Sequence, residues 1–353
     1  MARIIGINAR LILLVVVVAE VIFGNWVFGP KYGFLNIPRN TTRTFDTSEF
    51  YPGGGIITYS RDQHGLRGPY ANIGKIDLLV MGGSTTNELY IDNGKTWPAR
   101  MRQRFTEAGT PKTIVNAGLD GQSTIGNLKN FEVWIPNIPG IRARFVLMYV
   151  GLNDTIIDDQ TVSPFDEMKS PEFSRRIRHF ILNNSVFYDL FRKTRGWLRA
   201  KRHSFVHGKF AKHDAQWHRT ELTIKPAALK AQLQPKLDRY RMRLVLLAEA
   251  ISKFGASPIF VTQTRGDAQH DAGGYRSLRF KPNDKGGYAH NLAILEAYNA
   301  VTLEVCRELR LICPDLATEQ TFKKEDFYDH FHTTPTGSRK IGDYLFEKLR
   351  NVL

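Results

Sequence analysis

Four short segments, far apart in the chain, carry residue types that together could hydrolyse an ester: Gly82-Gly83-Ser84-Thr85, Asp120-Gly121-Gln122-Ser123-Thr124, Gly151-Leu152-Asn153-Asp154 and Asp329-His330-Phe331-His332. Acyl transfer through an alcohol needs a hydroxyl nucleophile, a base to take its proton, and donors aimed where an oxyanion develops. Ser84 is the candidate nucleophile. It follows an apolar run and sits in a turn made compact by Gly82 and Gly83, where glycines admit close backbone approach and a following helix would present its positive end. A phosphate loop would explain the glycines too, but no Gly-Lys-Ser/Thr ending is present; a plain helix-capping serine is the other reading.

His332 can act as base if a carboxylate fixes its tautomer, and Asp329, three residues earlier, is close enough to do so. A near-neutral imidazole takes the serine proton and returns it to the leaving group. His330 and Asp326 are competitors for these roles. His330 and His332 could also form an HxH metal pair, but no further ligands with suitable spacing accompany them, and neither a metal nor another cofactor is expected. For the oxyanion, the Ser84 and Gly121 backbone N–H groups and the Asn153 side-chain amide are candidates, with Asp154 expected to hold its loop by hydrogen bonds.

Chemistry of this kind needs a scaffold that brings loops from several strands to one edge. Ile76 to Met81, Thr113 to Asn116, Arg144 to Val150, Pro258 to Thr262 and Arg310 to Cys313 read as short strands. Trp97 to Phe105, Ile125 to Trp134, Leu237 to Phe254, Ala289 to Leu309 and Thr336 to Leu349 read as helices. The alternation predicts an α/β fold with a doubly wound parallel sheet, its site at the carboxyl ends of the strands. Residues 76–353 would form this domain, interrupted at about 155–235 by a basic insertion, helical in part (Phe173 to Arg199), that reads as a lid or cap. Residues 31–75, rich in Gly, Pro, Thr and Asn, read as an extended lead-in, with Tyr59 to Gly68 an ordered turn capping the fold.

Residues 1–30 read as an N-terminal membrane anchor. The run Leu11 to Ala19, then Val21 to Phe28, is about bilayer length, and Trp26 suits an interfacial position. Glu20 stands against it, and a signal peptide is the rival, though no clean cleavage site follows. Arg3 and Arg10 favour an inside N-terminus, while Lys31, Arg39 and Arg43 blunt the bias. These features predict a single-pass protein, bound to membrane lipid through this helix, with a periplasmic or otherwise extracytoplasmic domain.

The 353 residues suffice for one large domain with extras, and the net charge of +15 invites an anionic partner. No zinc-finger or RNA-binding pattern supports nucleic acid, so the charge is read as a solvated surface facing anionic lipid or acidic polysaccharide. Cys306 and Cys313 fit no ligand cluster and read as buried free thiols.

The chain resembles the SGNH (GDSL-type) hydrolases, in particular their bacterial membrane-anchored branch. The likeness runs from about Tyr59 to the C-terminus, with a gap over the basic insertion. It lies in the serine block at Gly82 to Thr85, Gly121, the asparagine block at Gly151 to Asp154, and the Asp-x-x-His block at Asp329 to His332. Thr333 to Gly337 also resembles the family and favours His332 over His330 as base. Gly83 departs from the aspartate found in many members. The resemblance implies a three-layer, flavodoxin-like fold and esterase or lipase-like acyl chemistry, without naming a substrate. Read with the anchor and the basic insertion, it suggests deacylation of a cell-envelope carbohydrate or lipid. An acyltransferase using the same serine on a polysaccharide, or a non-catalytic glycan-binding envelope-assembly protein, are the alternatives.

Overall fold

The computed structural model describes residues 2–27, 32, 35, 37–157, scattered positions between 177 and 194, 215–279 and 287–353. The chain divides into two compact units, Met1–Asn36 with Asp166–Val206, and Ile37–Phe165 with His207–Leu353.

In the first unit, α1 (Ala2–Phe23) forms where an unbroken run of Leu, Ile and Val meets no Pro. Its apolar side chains from Leu11 to Val18 are exposed. Glu20 accepts hydrogen bonds from Trp26 Nε1 (2.9 Å), Ser185 Oγ (2.6 Å) and Val186 N (3.0 Å). Among the described residues no helix is long and apolar enough to cross a membrane. The expected transmembrane helix is therefore not supported by the described residues.

The second unit begins with β1 (Thr41–Asp46) and β2 (Ile56–Arg61), an antiparallel hairpin where an extended lead-in was expected. The parallel sheet follows: β3 (Ile76–Gly82), α2 (Ser84–Asn87), α3 (Trp97–Glu107), β4 (Ile114–Asn116), α4 (Thr124–Val133), β5 (Ala143–Tyr149) and α5 (Leu152–Ile157). Next come β6 (Gln216–Arg219), α6 (Pro226–Phe254), β7 (Ser257–Val261), β8 (Ala268–Asp271), β9 (Gly274–Arg279), α7 (Tyr288–Leu309), α8 (Leu316–Glu319) and α9 (Pro335–Leu349).

The sheet order is β4-β3-β5-β7, all parallel. A parallel bridge from Ile259 to Ile312 adds one residue of the expected fifth strand at the β7 edge. In chain order this is 2-1-3-4 with a vestigial 5, the flavodoxin-like arrangement, whose order reverses at β3. Leu78 and Val80 of β3, Leu147 of β5 and Ile259 of β7 share one core with Trp97, Met101 and Phe105 of α3 and Ile341 and Leu345 of α9. The alternate residues Leu79, Met81, Val146 and Phe260 are also buried and face the side covered by α4, α6 and α7. Helices on both faces make three layers.

Several elements depart from the expectations. The α6 helix starts at Pro226 and runs through Pro235, which reads in sequence as a boundary. Burial of Leu229 and Leu233 on the first turns offsets the hydrogen bond that Pro235 cannot donate. A second, antiparallel sheet, β6-β9-β8, was not foreseen. Most of the insertion expected at about 155–235 lies outside the described residues; its described end holds β6 and the start of α6. Cys306 and Cys313, expected as free thiols, are joined in a disulfide. Arg310 adopts the left-handed conformation that ends α7 and turns the chain back, leaving the two Cα atoms 6.2 Å apart.

Candidate active site

β3 ends in Gly82, and the turn through Gly83 delivers Ser84 to the first position of α2. The crowding there explains the glycines. A Cβ on Gly82 would lie 2.5 Å from Tyr149 O, and one on Gly83 would lie 2.4 Å from Asn153 Nδ2. Gly83 thus leaves room for the Asn153 amide, and an aspartate at this position would collide with it. The helix after Ser84, expected to present its positive end to the nucleophile, is only four residues long.

The loop after α8 supplies the imidazole. A bridge between Phe327 and Thr333, and a bond from Tyr328 N to His332 O (2.9 Å), fold residues 327–333 into a tight bend. Asp329 Oδ1 accepts from Phe331 N (3.0 Å) and His332 N (2.8 Å), and its Oδ2 lies 2.7 Å from His332 Nδ1. On the other side of the ring, His332 Nε2 is 2.7 Å from Ser84 Oγ. Since a carboxylate only accepts, the Asp329 contact places the ring proton on Nδ1 and leaves Nε2 to accept from the serine hydroxyl. Tyr328 lies parallel to the imidazole, with centroids 5.6 Å apart, and Phe331 meets it edge-on at 4.6 Å. Burial, and then Asp329 beside it, push the Tyr328 phenol upward.

The candidate donors converge from two further loops. Leu119 N donates to Gly82 O (3.1 Å), which ties the Gly121 loop to the end of β3. Gly121 itself takes φ +74°, a turn conformation suited to glycine. Asn153 Nδ2 donates to Gln122 O (2.8 Å), which spends one of its two amide hydrogens and orients the other. Among the described residues, no acceptor takes the Ser84 or Gly121 backbone N–H. All five sequence-predicted residues (Ser84, Gly121, Asn153, Asp329 and His332) therefore sit around the end of β3.

The competitors face elsewhere. His330 Nδ1 lies 2.7 Å from Asp267 Oδ2, and Asp267 is also paired with Arg265 (2.6 Å). Asp326 accepts from Lys323 N (2.6 Å) and Lys340 Nζ (2.5 Å). The two imidazoles of the HxH pair engage different carboxylates. Asp154 holds more than its own loop: its fully buried carboxylate accepts from Thr124 N (3.2 Å) at the start of α4 and from buried Arg243 Nη2 of α6 (3.1 Å).

Sequence reasoning missed a ring of supporting groups. Gln263 Oε1 accepts from Leu152 N (2.7 Å) while its Nε2 donates to Thr85 Oγ1 (3.0 Å), joining the asparagine and serine loops. Buried Arg61 donates to Asn87 Oδ1 (2.6 Å), and buried Arg67 to Ile91 O (2.5 Å) and Asn93 Oδ1 (2.8 Å). Burial lowers the Arg67 guanidinium to about 10. Glu88, also buried, closes α2. The one available signal was the basic pair in the Tyr59 to Gly68 turn, which packs against the serine loop. A cavity of about 540 Å³ lined by Arg265, His270, Arg276, Glu296 and Phe322 includes neither Ser84 nor His332. The hydrogen-bonded geometry at Ser84, not cavity size, locates the candidate site.

No protein-family model matches the sequence, and no curated protein matches it. Its fold is similar to several solved structures. These include TesA (14% identity, TM-score 0.40, covering 78% of this chain and 99% of that one) and Axe2, an acetylxylan esterase from Geobacillus stearothermophilus (12% identity, TM-score 0.43, covering 79% and 95%). A third is LAE5, an alpha/beta hydrolase enzyme from the metagenome of Lake Arreo, Spain (13% identity, TM-score 0.40, covering 81% and 100%). At these scores the likenesses carry nothing about chemistry, which rests on this chain's own residues.

Proposed function

We propose that the protein is a serine esterase of the SGNH type, with Ser84 as nucleophile, His332 as general base and acid, and Asp329 as the carboxylate that orients it. The single observation carrying this reading is the unbroken chain of contacts from Ser84 Oγ to His332 Nε2 and from His332 Nδ1 to Asp329 Oδ2, each 2.7 Å. Ser84 Oγ attacks the ester carbonyl as His332 Nε2 takes its proton. The tetrahedral oxyanion is held by the Ser84 and Gly121 N–H groups and the Asn153 amide. His332 then gives its proton to the leaving alkoxide as the C–O bond breaks, and an acyl group remains on Ser84. Water, giving a proton to His332 Nε2, attacks that acyl-enzyme; the acyl–Oγ bond breaks, the carboxylic acid leaves and His332 returns the proton to Ser84.

The substrate we propose is an acylated carbohydrate, with a lipid ester as the alternative. Support comes from half-buried Phe50 and Tyr90, stacked 4.7 Å apart, both touching the Tyr328 ring that lies against His332. These rings reach His332 only through Tyr328, and an aromatic cluster behind the imidazole is compatible with a sugar ring at the site. The disulfide between Cys306 and Cys313 supports an extracytoplasmic site of action. The exposed apolar surface of α1 supports attachment to lipid. Turnover of acetylated sugars and of p-nitrophenyl esters of graded chain length tests the reading. Acetyl esters should be cleaved by the wild type and not by Ser84→Ala; equal turnover by both proteins would overturn it.

A further inference from the structure

We propose that Glu88 is a positioning residue of this site, fixing the loop that carries His332 onto the segment that carries Ser84. The proposal rests on the roles given above to those two residues. Glu88 is 4% exposed and takes no part in the acyl chemistry. Its own N–H donates to Ser84 O (2.8 Å), closing the turn of α2. Its backbone sits at φ +52°, a left-handed conformation uncommon for a residue with a long side chain. What holds it there is the grip on its carboxylate. Oε2 accepts from Trp97 N at the start of α3 (2.8 Å), and Oε1 accepts from Thr333 Oγ1 (2.9 Å) and from Ser338 Oγ on α9.

Thr333 directly follows His332. Glu88 therefore links nucleophile and base by a short path: Ser84 carbonyl to Glu88 amide, Glu88 carboxylate to Thr333 hydroxyl, and Thr333 to His332 through one peptide bond. The chemistry of the carboxylate matters to this path. The Thr333 and Ser338 hydroxyls also lie 2.9 Å from each other and could settle several ways. When ionised, the carboxylate only accepts, so both hydroxyls and the Trp97 N–H must act as donors, which leaves one arrangement. The nearest cation, Arg67, donates to the Glu88 main-chain carbonyl (3.0 Å), and burial of the carboxylate outweighs the attraction. A carboxylate buried without a direct ion pair is costly, and a neutral side chain would close the turn at less cost. Its retention here is accounted for by placement of the histidine loop.

The test compares Glu88→Gln, Thr333→Val and Thr333→Ser in the full chain, on a small acetyl ester, with active sites counted by fluorophosphonate. A misplacement of about 1 Å at a catalytic group costs about 10²-fold. Glu88→Gln and Thr333→Val should each lower kcat by about that factor with KM nearly unchanged, and Thr333→Ser, which keeps the hydroxyl, should restore it. The double variant Glu88→Gln/Thr333→Val should be no worse than either single one. Loss of melting temperature with kcat per active site unchanged in Thr333→Val would overturn the proposal, as would additive losses in the double variant. If Glu88→Gln does not fold, the Thr333 pair decides alone. Failure of the underlying reading looks different: His332→Ala or Ser84→Ala would then keep their turnover.

Discussion

Glu88 makes the stability of the protein depend on pH in a direction opposite to that of a salt-bridged carboxylate. Burial raises its carboxyl to about 7, against 4.5 for the exposed group, despite the opposing hydrogen bonds from Ser338, Trp97 and Thr333. A carboxyl whose folded pKa lies above its unfolded value favours the folded state while protonated. Its contribution is fully present below pH 4.5 and is lost as pH rises through about 7. At 1.36 kcal/mol per pKa unit, the wild type should lose roughly 2–3 kcal/mol between pH 5 and pH 8 through this residue. Glu88→Gln has no such proton to lose and serves as the reference, so contributions from other titrating groups cancel. The assay is urea unfolding of both proteins at pH 5 and pH 8. The gap between their midpoints should move by roughly 1 M in favour of the variant at the higher pH. Parallel midpoints at both pH values would show that Glu88 is ionised at no cost, and the burial argument would be wrong.

Three further outcomes follow from the site. Asp154→Ala removes one half of a fully buried ion pair with Arg243 and should cost about 3–5 kcal/mol; at roughly 2 °C per kcal/mol for a unit of this size, melting should fall by about 6–10 °C by calorimetry. Gly83→Ala places a Cβ where the Asn153 amide sits, so kcat on an acetyl ester should fall about 10²-fold with the fold intact by circular dichroism; unchanged kcat would remove Asn153 from the oxyanion role. His332→Ala should abolish turnover, whereas His330→Ala, whose ring is turned to Asp267, should keep most of it; the reverse pattern would exchange their roles.

Local chemistry was legible in the sequence and long-range pairing was not. The apolar run ending in Gly82-Gly83 announced both a buried parallel strand and a tight turn, because those residues leave few other conformations. Asp329 and His332 stand at a spacing one loop can close by itself, so the carboxylate–imidazole contact could be read directly. The misses had more than one cause, and the Glu88 contacts span a long stretch of sequence. The β1–β2 hairpin joins segments too polar and irregular to show a two-residue period. The start of α6 lies beyond Pro235, whose cost is met only by the burial of Leu229 and Leu233. Glu88 looks like a surface residue after a helix until Thr333 and Ser338 arrive from about 250 positions away. The cysteine pair closes only because Arg310 reverses the chain, which sequence spacing does not show.

The central claim, that Ser84 is a nucleophile activated by His332, is tested most directly by locating a covalent adduct. After reaction with a fluorophosphonate, peptide mapping by mass spectrometry should find one adduct per chain, on Ser84, with the rate of labelling strongly reduced in His332→Ala. Folded wild-type protein that gains no mass, or that carries the adduct on another residue, would contradict it.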